Sequence, residues 1–341
     1  MRIALLGGSF DPVHDGHLQI AKTALKKMKI DQVWFMPCKD APLKNGQTVS
    51  FHHRCEMVKR AIAPYRKMKL CRIEGELEGV SYTIRTVLEL KKRYPHDSFS
   101  FLIGDDQALQ FHKWKEADRL LEEVSFYVFS RVKDAVLPKG MHRMYMDLID
   151  VSSTDIRNGN KHWYLPKAVK RYMGQHYLYI ESHVQQRMGE HRWNHSLSVA
   201  KLCKEIAHAH QLDEVVAWNM GIAHDVCKQL SKQKSEIWMK HHLPEHINEA
   251  VAIWHGYVGA KYTKNRLYVE DQRVISAIYH HVLGDGKSDY DIILYCADKL
   301  DPSRGYDSSK QIALCKKNLK LGFNRVKEEQ YAYLCKEGVL S

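Results

Sequence analysis

The feature that most constrains the fold is a change of hydrophobic pattern near the middle of this 341-residue chain. From Met1 to about Ile180, short apolar runs alternate with longer amphipathic ones, whereas from Glu181 onward only long amphipathic segments remain. Alternating strand and helix signals are typical of a parallel sheet covered by helices on both faces, and helical periodicity alone is typical of an all-α domain. We therefore predict an α/β domain over residues 1–180 and an all-α domain over residues 181–341, with the boundary near Ile180.

Individual elements follow from the same pattern. In the first domain we predict strands over Ile3–Leu6, Val33–Met36, Leu70–Ile73, Phe99–Ile103, Phe126–Phe129 and Met144–Ile149, and helices over His17–Met28, Phe51–Ala63, Tyr82–Arg93 and Leu109–Leu121. In the second domain we predict helices over Val184–Ala209, Asp213–Cys227, Ser231–Met239, Glu245–Ala252, Val274–Val282, Asp291–Leu300 and Ser308–Leu321.

The stretch GGSFDPVHDGHL, Gly7–Leu18, ends the first apolar run and opens the first predicted helix. Its leading glycines let backbone N–H groups approach an anion closely, and Pro12 and Gly16 favour a tight turn. His14 and His17 stand three residues apart, where the N-terminus of a helix points its partial positive charge at the same anion. The stretch therefore predicts a phosphate-binding loop at the carboxyl end of a strand, where open parallel sheets bind ligands.

A second polar stretch, VSSTDIRNG over 151–159, follows the last predicted strand. Ser152, Ser153 and Thr154 offer helix caps and hydroxyl donors, and Arg157 lies on the same helix face as Thr154. A capped surface helix explains these residue types equally well, so both interpretations stay open at this point.

Composition limits the partners. The formal net charge of +12 favours nucleic acid, an acidic membrane surface or small phosphorylated substrates. No apolar run approaches the roughly 20 residues of a membrane span, so we expect a cytoplasmic protein without a membrane segment. We expect phosphorylated small molecules rather than nucleic acid as partners; RNA binding through basic helices is the weaker alternative, and a homo-oligomer is left open. The eight cysteines form no CxxC pair and are expected to be reduced packing residues.

Two motifs in the first half resemble those of nicotinate mononucleotide adenylyltransferases, members of the α/β nucleotidylyltransferase superfamily. GGSFDPVHDGHL contains the superfamily's HxGH at His14, Gly16 and His17, and SSTDIR matches its SSTxIR. Between them, FLIGDDQALQFHKW carries a GxD at Gly104 and Asp106, and SYT at Ser81–Thr83 is a weaker match. The resemblance extends over residues 1–180 and implies a Rossmann-like parallel sheet.

This resemblance implies adenylyl transfer from ATP, carried with Mg²⁺, to nicotinate mononucleotide. His14, His17, Lys44 and Arg157 are implied as catalytic donors to the phosphates; Lys44 lies in APLK, where the family often has PPHK. The implied ATP-binding residues are Gly7, Gly8, Ser9, Phe10, Gly104, Asp106, Ser153 and Thr154. Tyr82, Thr83 and Trp114 are implied to bind the mononucleotide, with core packing as the alternative role of Trp114 and a helix cap as that of Tyr82 and Thr83. The choice between nicotinate and nicotinamide stays open.

Histidine and aspartate recur through the second half in HRWNH, in HD, in WHGYVGA, in IYHH and in CADKLDPSR. The ordered set resembles the metal-binding residues of the HD superfamily. The implied ligands of two metal ions are His195, His224, Asp225, His255, His281 and Asp298. Asp225 is expected to bridge the ions, and His281 is preferred over His280 because it lies three residues beyond Ile278, on the inward helix face.

HRxxH, WHxxxGA and ADxxxPxR together resemble a bacterial HD family that splits diadenosine tetraphosphate symmetrically into two ADP. The resemblance extends over residues 181–330 and implies a bimetallic site, with iron expected and manganese as the alternative. Lys228 and Arg304 are candidates for binding the polyphosphate, although a solvated Lys228 is nearly as well supported.

The two halves together predict a bifunctional enzyme of NAD biosynthesis and dinucleoside polyphosphate hydrolysis, with ATP, nicotinate mononucleotide and diadenosine tetraphosphate as small-molecule partners. The alternative is an adenylyltransferase for nicotinamide mononucleotide whose HD domain is a nucleotide phosphatase or a non-catalytic nucleotide sensor.

Overall fold

The computed structural model describes residues 1–40, 49–130, 137–147 and 149–337. The chain divides into two compact units, Met1–Tyr172 and Met173–Ser341. This division falls inside the helix Lys167–Gln175, a few residues before the predicted boundary near Ile180. Within the second unit, a Cβ on Gly174 would lie 1.8 Å from the Tyr268 carbonyl oxygen, so only glycine fits at the end of this helix.

A parallel sheet forms the centre of the first unit, which confirms the predicted fold class. Within the described residues its strands are β1 (Arg2–Gly8), β2 (Gln32–Pro37), β3 (Met68–Leu70), β4 (Ser98–Gly104), β5 (Ser125–Ser130) and β6 (Met141–Tyr145), in the order β3-β2-β1-β4-β5-β6. The strand order reverses between β1 and β4, which pair through Leu6 and Leu102. A sheet of this kind has a ligand-binding crevice outside the carboxyl ends of the two strands at the reversal.

Helices flank the sheet, because buried parallel strands such as Ile3–Leu6 need cover on both faces. The helices of the first unit are α1 (Asp15–Lys27), α2 (Phe51–Ile62), α3 (Ile73–Glu76), α4 (Thr83–Arg93), α5 (Asp105–Leu109), α6 (Ala117–Glu123) and α7 (Ser153–Arg157), with α8 (Lys167–Gln175) across the division.

Three predicted elements of this unit are corrected. The strand predicted over Leu70–Ile73 ends early because Ile73 already begins α3, and the strand predicted over Met144–Ile149 lies instead at β6. The helix predicted over Leu109–Leu121 is interrupted, since Glu116 adopts a left-handed backbone with φ of +54°. The hydrophobic periodicity of the sequence shows the apolar positions of this segment. It does not show the left-handed residue that interrupts the helix.

The second unit is helical, as predicted. Its helices are α9 (Ile180–Gln185), α10 (Glu190–Ala209), α11 (Glu214–Ala223), α12 (Lys232–His242), α13 (Trp254–Arg266), α14 (Gln272–His280), α15 (Asp289–Lys299), α16 (Ser309–Lys317) and α17 (Leu319–Lys336).

Two helix predictions in this unit are wrong in extent. The predicted helix Val184–Ala209 is divided, because Gly189 is the extended N-cap of α10. The segment Glu245–Ala252 forms only 3-10 turns, and the true helix is α13. Residues 254–260 of α13 are all buried, so this part of the helix lacks the apolar stripe by which an amphipathic helix is detected.

All eight cysteines are free thiols. Among the helices that the structure describes, none is both long and apolar enough to cross a membrane.

Candidate active sites

An aromatic anchor holds the loop that follows β1. Phe10 has a left-handed backbone with φ of +50°, and its ring is fully buried against Phe35, 5.6 Å away between centroids. Bulky residues rarely adopt this conformation, so burial of the ring must keep the loop in one shape. Phe10 is predicted to lie in the ATP site. In the structure its buried ring anchors the loop.

The two predicted imidazoles lie together at the N-terminus of α1. The His14 backbone N–H donates to His17 Nδ1 at 3.2 Å, and the two ring centroids are 3.8 Å apart. Gly16 makes this possible, since a Cβ there would lie 3.0 Å from His14 Nδ1 and 3.1 Å from Val151. Both rings thus lie at the positive end of the helix dipole, where an anion is favoured.

The second predicted motif packs against this loop. Ser153 Oγ donates to the Pro12 carbonyl at 2.9 Å, and Arg157 Nη1 donates to the Asp11 carbonyl at 2.5 Å. Arg157 also donates to Thr154 Oγ1 at 3.1 Å. Two motifs that lie 141 residues apart in sequence therefore meet beside His14 and His17.

A buried arginine that the sequence analysis missed supports the same loop. Arg54 is 1% exposed, and its guanidinium donates to the carbonyls of Ser9 at 2.9 Å, Cys38 at 2.6 Å and Lys39 at 3.1 Å. Its side chain ties the end of β1 to the end of β2. Because its partners are backbone carbonyls, no side-chain motif announces it.

The carboxyl ends of β1 and β4 differ in the space around their glycines. A Cβ on Gly7 would lie 2.9 Å from the Phe101 ring, whereas a Cβ on Gly104 would meet no described atom within 4 Å. Gly7 therefore serves packing, and Gly104 leaves open space at the crevice. Asp106 lies nearby in the first turn of α5, with its side chain exposed.

The predicted mononucleotide residues lie beside Phe111 and at the start of α4. Trp114 is half-buried, with its ring centroid 5.3 Å from that of Phe111, so it belongs in part to the core. Tyr82 precedes α4 and has the Lys115 ammonium 5.0 Å from its ring centroid, and Thr83 is the first residue of α4. Lys44 lies outside the described residues.

A buried carboxyl lies beside Tyr82. Glu74 is 5% exposed and accepts from the Lys39 backbone N–H and from Thr86 Oγ1, each at 3.2 Å. Burial raises its pKa above the ordinary value of 4.5. Glu74, Ser81, Tyr82 and Arg85 line a narrow recess that has no room for a water molecule.

In the second unit the predicted metal ligands converge from five helical segments. His195 lies in α10, His224 and Asp225 follow α11, His255 lies in α13, His281 follows α14 and Asp298 lies in α15. They form two groups, His195–His224–Asp298 and Asp225–His255–His281, with ligand atoms within 4.8 Å of one another in each. We call these the His195 group and the His255 group. His280, the rejected neighbour of His281, pairs instead with Asp285 at 2.7 Å.

Backbone carbonyls orient three of the histidine rings. The Nδ1 atoms of His224, His255 and His281 lie 2.7, 2.8 and 2.6 Å from carbonyl oxygens three residues earlier in the chain. A neutral ring that donates from Nδ1 presents its Nε2 lone pair on the other side. The Nε2 atoms of His195 and His224 are buried without a hydrogen-bond partner among the described residues.

Asp225 lies between the two groups. Its Oδ2 is 3.5 Å from His224 Nε2 and 3.9 Å from His195 Nε2, whereas its Oδ1 is 3.5 Å from His255 Nε2 and 3.9 Å from His281 Nε2. Bonds of about 2.1 Å around one ion place ligand atoms roughly 3–3.5 Å apart. Each carboxylate oxygen of Asp225 therefore faces a different group. Its distances to the histidine Nε2 atoms of that group are close to the distance between two ligand atoms of one ion.

The charges of this site favour cations. Burial lowers the pKa of His255 to about 4 and that of His281 to about 3, so both rings are neutral at pH 7. Burial alone would also lower the pKa of His195, but the carboxylates of Asp298 and Asp301 outweigh it and raise that pKa to about 9. A proton on His195 and a metal ion in the His195 group would both be attracted by the Asp298 carboxylate.

Basic side chains surround these carboxylates. Lys228 Nζ lies 3.1 Å from His255 Nε2, and Arg304 donates to Asp298 Oδ1 at 2.8 Å, so both predicted polyphosphate residues are at the site. Arg192 donates to Asp225 Oδ2 and Lys299 to Asp298 Oδ2, each at 2.8 Å, and the sequence analysis missed both.

Asp301 was also missed, although it supports a ligand directly. It is fully buried, and its Oδ2 lies 2.6 Å from His195 Nδ1. The glycines of WHGYVGA allow close approach of the helices, since a Cβ on Gly259 would lie 3.3 Å from the His224 carbonyl oxygen and one on Gly256 would lie 3.1 Å from Val282. Carboxylates together with imidazoles that backbone carbonyls or Asp301 orient are a donor set that fits two divalent transition-metal ions.

Comparison with known proteins matches both units. Residues 5–159 match the cytidylyltransferase-like family and residues 192–303 match the HD domain. A Mycoplasma genitalium protein named probable nicotinate-nucleotide adenylyltransferase/Ap4A hydrolase is 30% identical over 94% of this chain and 95% of its own length. An Exiguobacterium sibiricum protein named probable nicotinate-nucleotide adenylyltransferase is 41% identical over 46% of this chain and 85% of its own length.

Among solved structures, Plasmodium falciparum nicotinic acid mononucleotide adenylyltransferase complexed with NaAD covers 52% of this chain and 97% of its own, at 22% identity and a TM-score of 0.45. The relationship to the Mycoplasma genitalium protein extends over nearly the whole of both chains. The chain therefore belongs to the nicotinate-nucleotide adenylyltransferase/Ap4A hydrolase family, in which a cytidylyltransferase-like unit precedes an HD unit.

Proposed function

We propose that the first unit transfers the adenylyl group of ATP to nicotinate mononucleotide. The observation that carries this proposal is the contact of Ser153 and Arg157 with the loop that bears His14 and His17. A phosphate oxygen of the mononucleotide forms a bond to the α-phosphorus of ATP, and the bond to the bridging oxygen of the β-phosphate breaks, which releases pyrophosphate. The names of the relatives in the family agree with this reaction.

The side chains have separate tasks in this step. His14 and His17 donate to the α- and β-phosphate oxygens, where negative charge grows. Arg157, Ser153, Thr154 and Lys44 hold the leaving pyrophosphate. Mg²⁺ enters with the ATP and neutralises part of its charge.

The nucleosides occupy the two sides of the crevice. The backbone of Gly7–Ser9 approaches the phosphates, and the space beside Gly104 admits the adenosine, with Asp106 accepting from a ribose hydroxyl. Trp114 stacks on the pyridine ring, with Tyr82 and Thr83 alongside. Two reacting groups that are held in line need no covalent intermediate.

Substrate choice tests this proposal directly. The full chain is incubated with ATP, Mg²⁺ and either nicotinate or nicotinamide mononucleotide, and pyrophosphate release is measured. We expect a higher kcat/KM with nicotinate mononucleotide. A preference for nicotinamide mononucleotide would establish the alternative substrate, and no release with either would refute adenylyl transfer.

For the second unit we propose metal-dependent, symmetrical hydrolysis of diadenosine tetraphosphate to two ADP. The observation that carries it is Asp225, whose two oxygens face different ligand groups. His195, His224 and Asp298 would hold one ion and His255 and His281 the other, with Asp225 shared; iron is the proposed metal. The ions would supply a hydroxide at neutral pH and bind the attacked phosphate.

Basic residues would select the polyphosphate chain. Lys228 and Arg304 lie at the edge of the ligand groups and would bind phosphates on either side of the broken bond, with Arg192 and Lys299 close by. Guanidinium and ammonium donors bind phosphate oxygens strongly.

The products of metal-loaded protein test this second activity. With Fe²⁺ or Mn²⁺ and diadenosine tetraphosphate, we expect ADP alone, because attack at the central bond gives two identical halves. AMP together with ATP would contradict symmetrical cleavage. No product from metal-loaded protein would favour the nucleotide sensor, and release of phosphate from mononucleotides would favour the phosphatase.

A further inference from the structure

Four side chains close in sequence to His255 and His281 form a continuous chain of hydrogen bonds without belonging to the His255 group. The Tyr279 hydroxyl lies 2.5 Å from His246 Nε2, and His246 Nδ1 lies 2.5 Å from Glu249 Oε1. The Tyr257 hydroxyl donates to Glu249 Oε2 at 2.8 Å. We call these four side chains the His246 network.

One protonation pattern satisfies every member of the network. A neutral His246 that donates from Nδ1 to Glu249 accepts from Tyr279 at Nε2, and Glu249 accepts from Tyr257 with its other oxygen. Ring contacts reinforce these bonds, since His246 stacks on Tyr257 with centroids 4.5 Å apart and Tyr257 lies 4.6 Å from Tyr279. A fully satisfied and stacked network of this kind is rigid.

The network joins α13, which carries His255, to α14, which His281 directly follows. Tyr257 lies in α13, two residues after His255, and Tyr279 lies in α14, two residues before His281. The loop before α13 is held as well, because Trp254 Nε1 donates to the Glu249 carbonyl at 3.1 Å. The His195 group takes its ligands from α10, α15 and the end of α11, so the network joins none of its helices.

Gly256 allows α13 and α14 to approach each other closely. A Cβ on Gly256 would lie 3.3 Å from the Tyr279 carbonyl oxygen and 3.1 Å from the Val282 side chain, so no larger residue fits at this contact. The hydrogen bonds of the His246 network provide a second, polar connection between α13 and α14.

We propose that the His246 network positions His255 and His281 and thereby sets the affinity of the second metal ion separately from that of the first. The proposal rests on the metal sites proposed above. The four residues are positioning residues, because they touch other members of the network and not the ligand atoms. Groups that orient metal ligands typically change affinity 10- to 100-fold when they are altered.

Metal binding to the full chain tests the proposal without reference to catalysis. Chelator-treated wild type, Tyr279→Phe and Glu249→Gln are titrated with Mn²⁺ by equilibrium dialysis. Tyr290→Phe is the matched control, since its hydroxyl accepts a hydrogen bond from the Asp213 backbone N–H and takes part in none of the hydrogen bonds of the network. We expect two sites in wild type and in the control, and in the two network variants one unchanged site and one about 10- to 100-fold weaker.

Several results would overturn the proposal. Unchanged affinities in both network variants would show that the network positions nothing, and equal weakening of both sites would show a general loss of stability. A wild type with fewer than two sites would refute the metal assignment itself. Two tight sites, with one weakened in the network variants, would support the proposal even if diadenosine tetraphosphate were not hydrolysed, so the two failures are distinct.

Discussion

In the first unit the candidate site lies along the rim of a sheet, whereas in the second it is enclosed by helices. Asp106 is exposed and His17 is half-buried, but His224 is 0% exposed and His281 is 1% exposed. The proposed ligands explain the difference. A phosphate chain brings its own charge to an open crevice, whereas a cation requires carboxylates and imidazoles that are already assembled and protected from water.

Backbone carbonyls serve both sites, in opposite ways. In the first unit they accept from the cations Arg54 and Arg157 and so fix the shape of the phosphate loop. In the second unit they lie against His Nδ1 atoms and so fix the direction of the Nε2 lone pair. In the first site the shape of the loop positions the functional side chains, whereas in the second site each histidine ring is oriented by its own hydrogen bond. Single substitutions test this contrast.

The largest expected effect is that of His17→Ala. Loss of one preorganised donor should lower kcat for pyrophosphate release roughly 100- to 1,000-fold. Because His17 is half-buried at a helix end, we expect an unchanged circular dichroism spectrum, and the second unit should bind metal as wild type does. His96→Ala, an exposed histidine of the same unit, is the control. Turnover like that of wild type in His17→Ala would refute its role.

Arg54→Met should weaken the loop itself. Its removal leaves several buried carbonyls without a donor, which should lower the stability of this region by roughly 3 kcal/mol. Hydrogen–deuterium exchange should show faster exchange in β1 and β2, with the second unit unaffected, and the KM for ATP should rise. Arg54→Lys retains the charge and should recover part of both effects. Unchanged exchange in Arg54→Met would show that the loop keeps its shape without the guanidinium.

The sequence predicted what depends on local pattern. The strands β1, β4 and β5 can be predicted because they are apolar runs. The motifs of a known family likewise identify His14, His17 and the six expected metal ligands. Their mutual arrangement in the structure could not be derived from spacing alone. His195 and Asp298, for example, lie on helices that are separated by most of the unit's sequence.

The supporting residues escaped the sequence analysis for physical reasons. Arg54 bonds to carbonyls, which every residue has, and Asp301 meets a histidine 106 residues away. The sequence pattern predicts His246 and Glu249 in a helix that does not form. Their hydrogen bonds to Tyr279 and Tyr257 could therefore not be predicted. Residues that are expected to bind a substrate or a metal ion thus occur in recognisable motifs. The residues that position them often do not.

Asp301→Asn is expected to have a smaller effect, confined to the His195 group. A neutral amide supports His195 less well than a carboxylate, so Mn²⁺ affinity should fall about 10- to 100-fold at one site and remain at the other. Ser303→Ala is the control, because Ser303 donates to the same carboxylate without touching the histidine. The intact site should be the one that Tyr279→Phe weakens, so the double variant should weaken both. Identical loss at both sites in Asp301→Asn would mean that the groups are not separately supported.

The smallest effect is expected for Glu74→Gln, and it tests the electrostatic contrast between the units. Burial raises the pKa of Glu74, whereas for Asp298 burial is outweighed by Lys299 and His195, so the pKa of that carboxyl is lowered. Because the folded state holds the Glu74 proton more tightly than the unfolded state, its contribution is fully present below about pH 4.5 and is lost as the pH rises through the raised pKa. Glutamine does not ionise, so the Tm of the variant relative to wild type should increase with pH above that value. Parallel Tm curves for Glu74→Gln and wild type between pH 4 and 8 would show that Glu74 is as well solvated by its hydrogen bonds as an exposed carboxylate is by water.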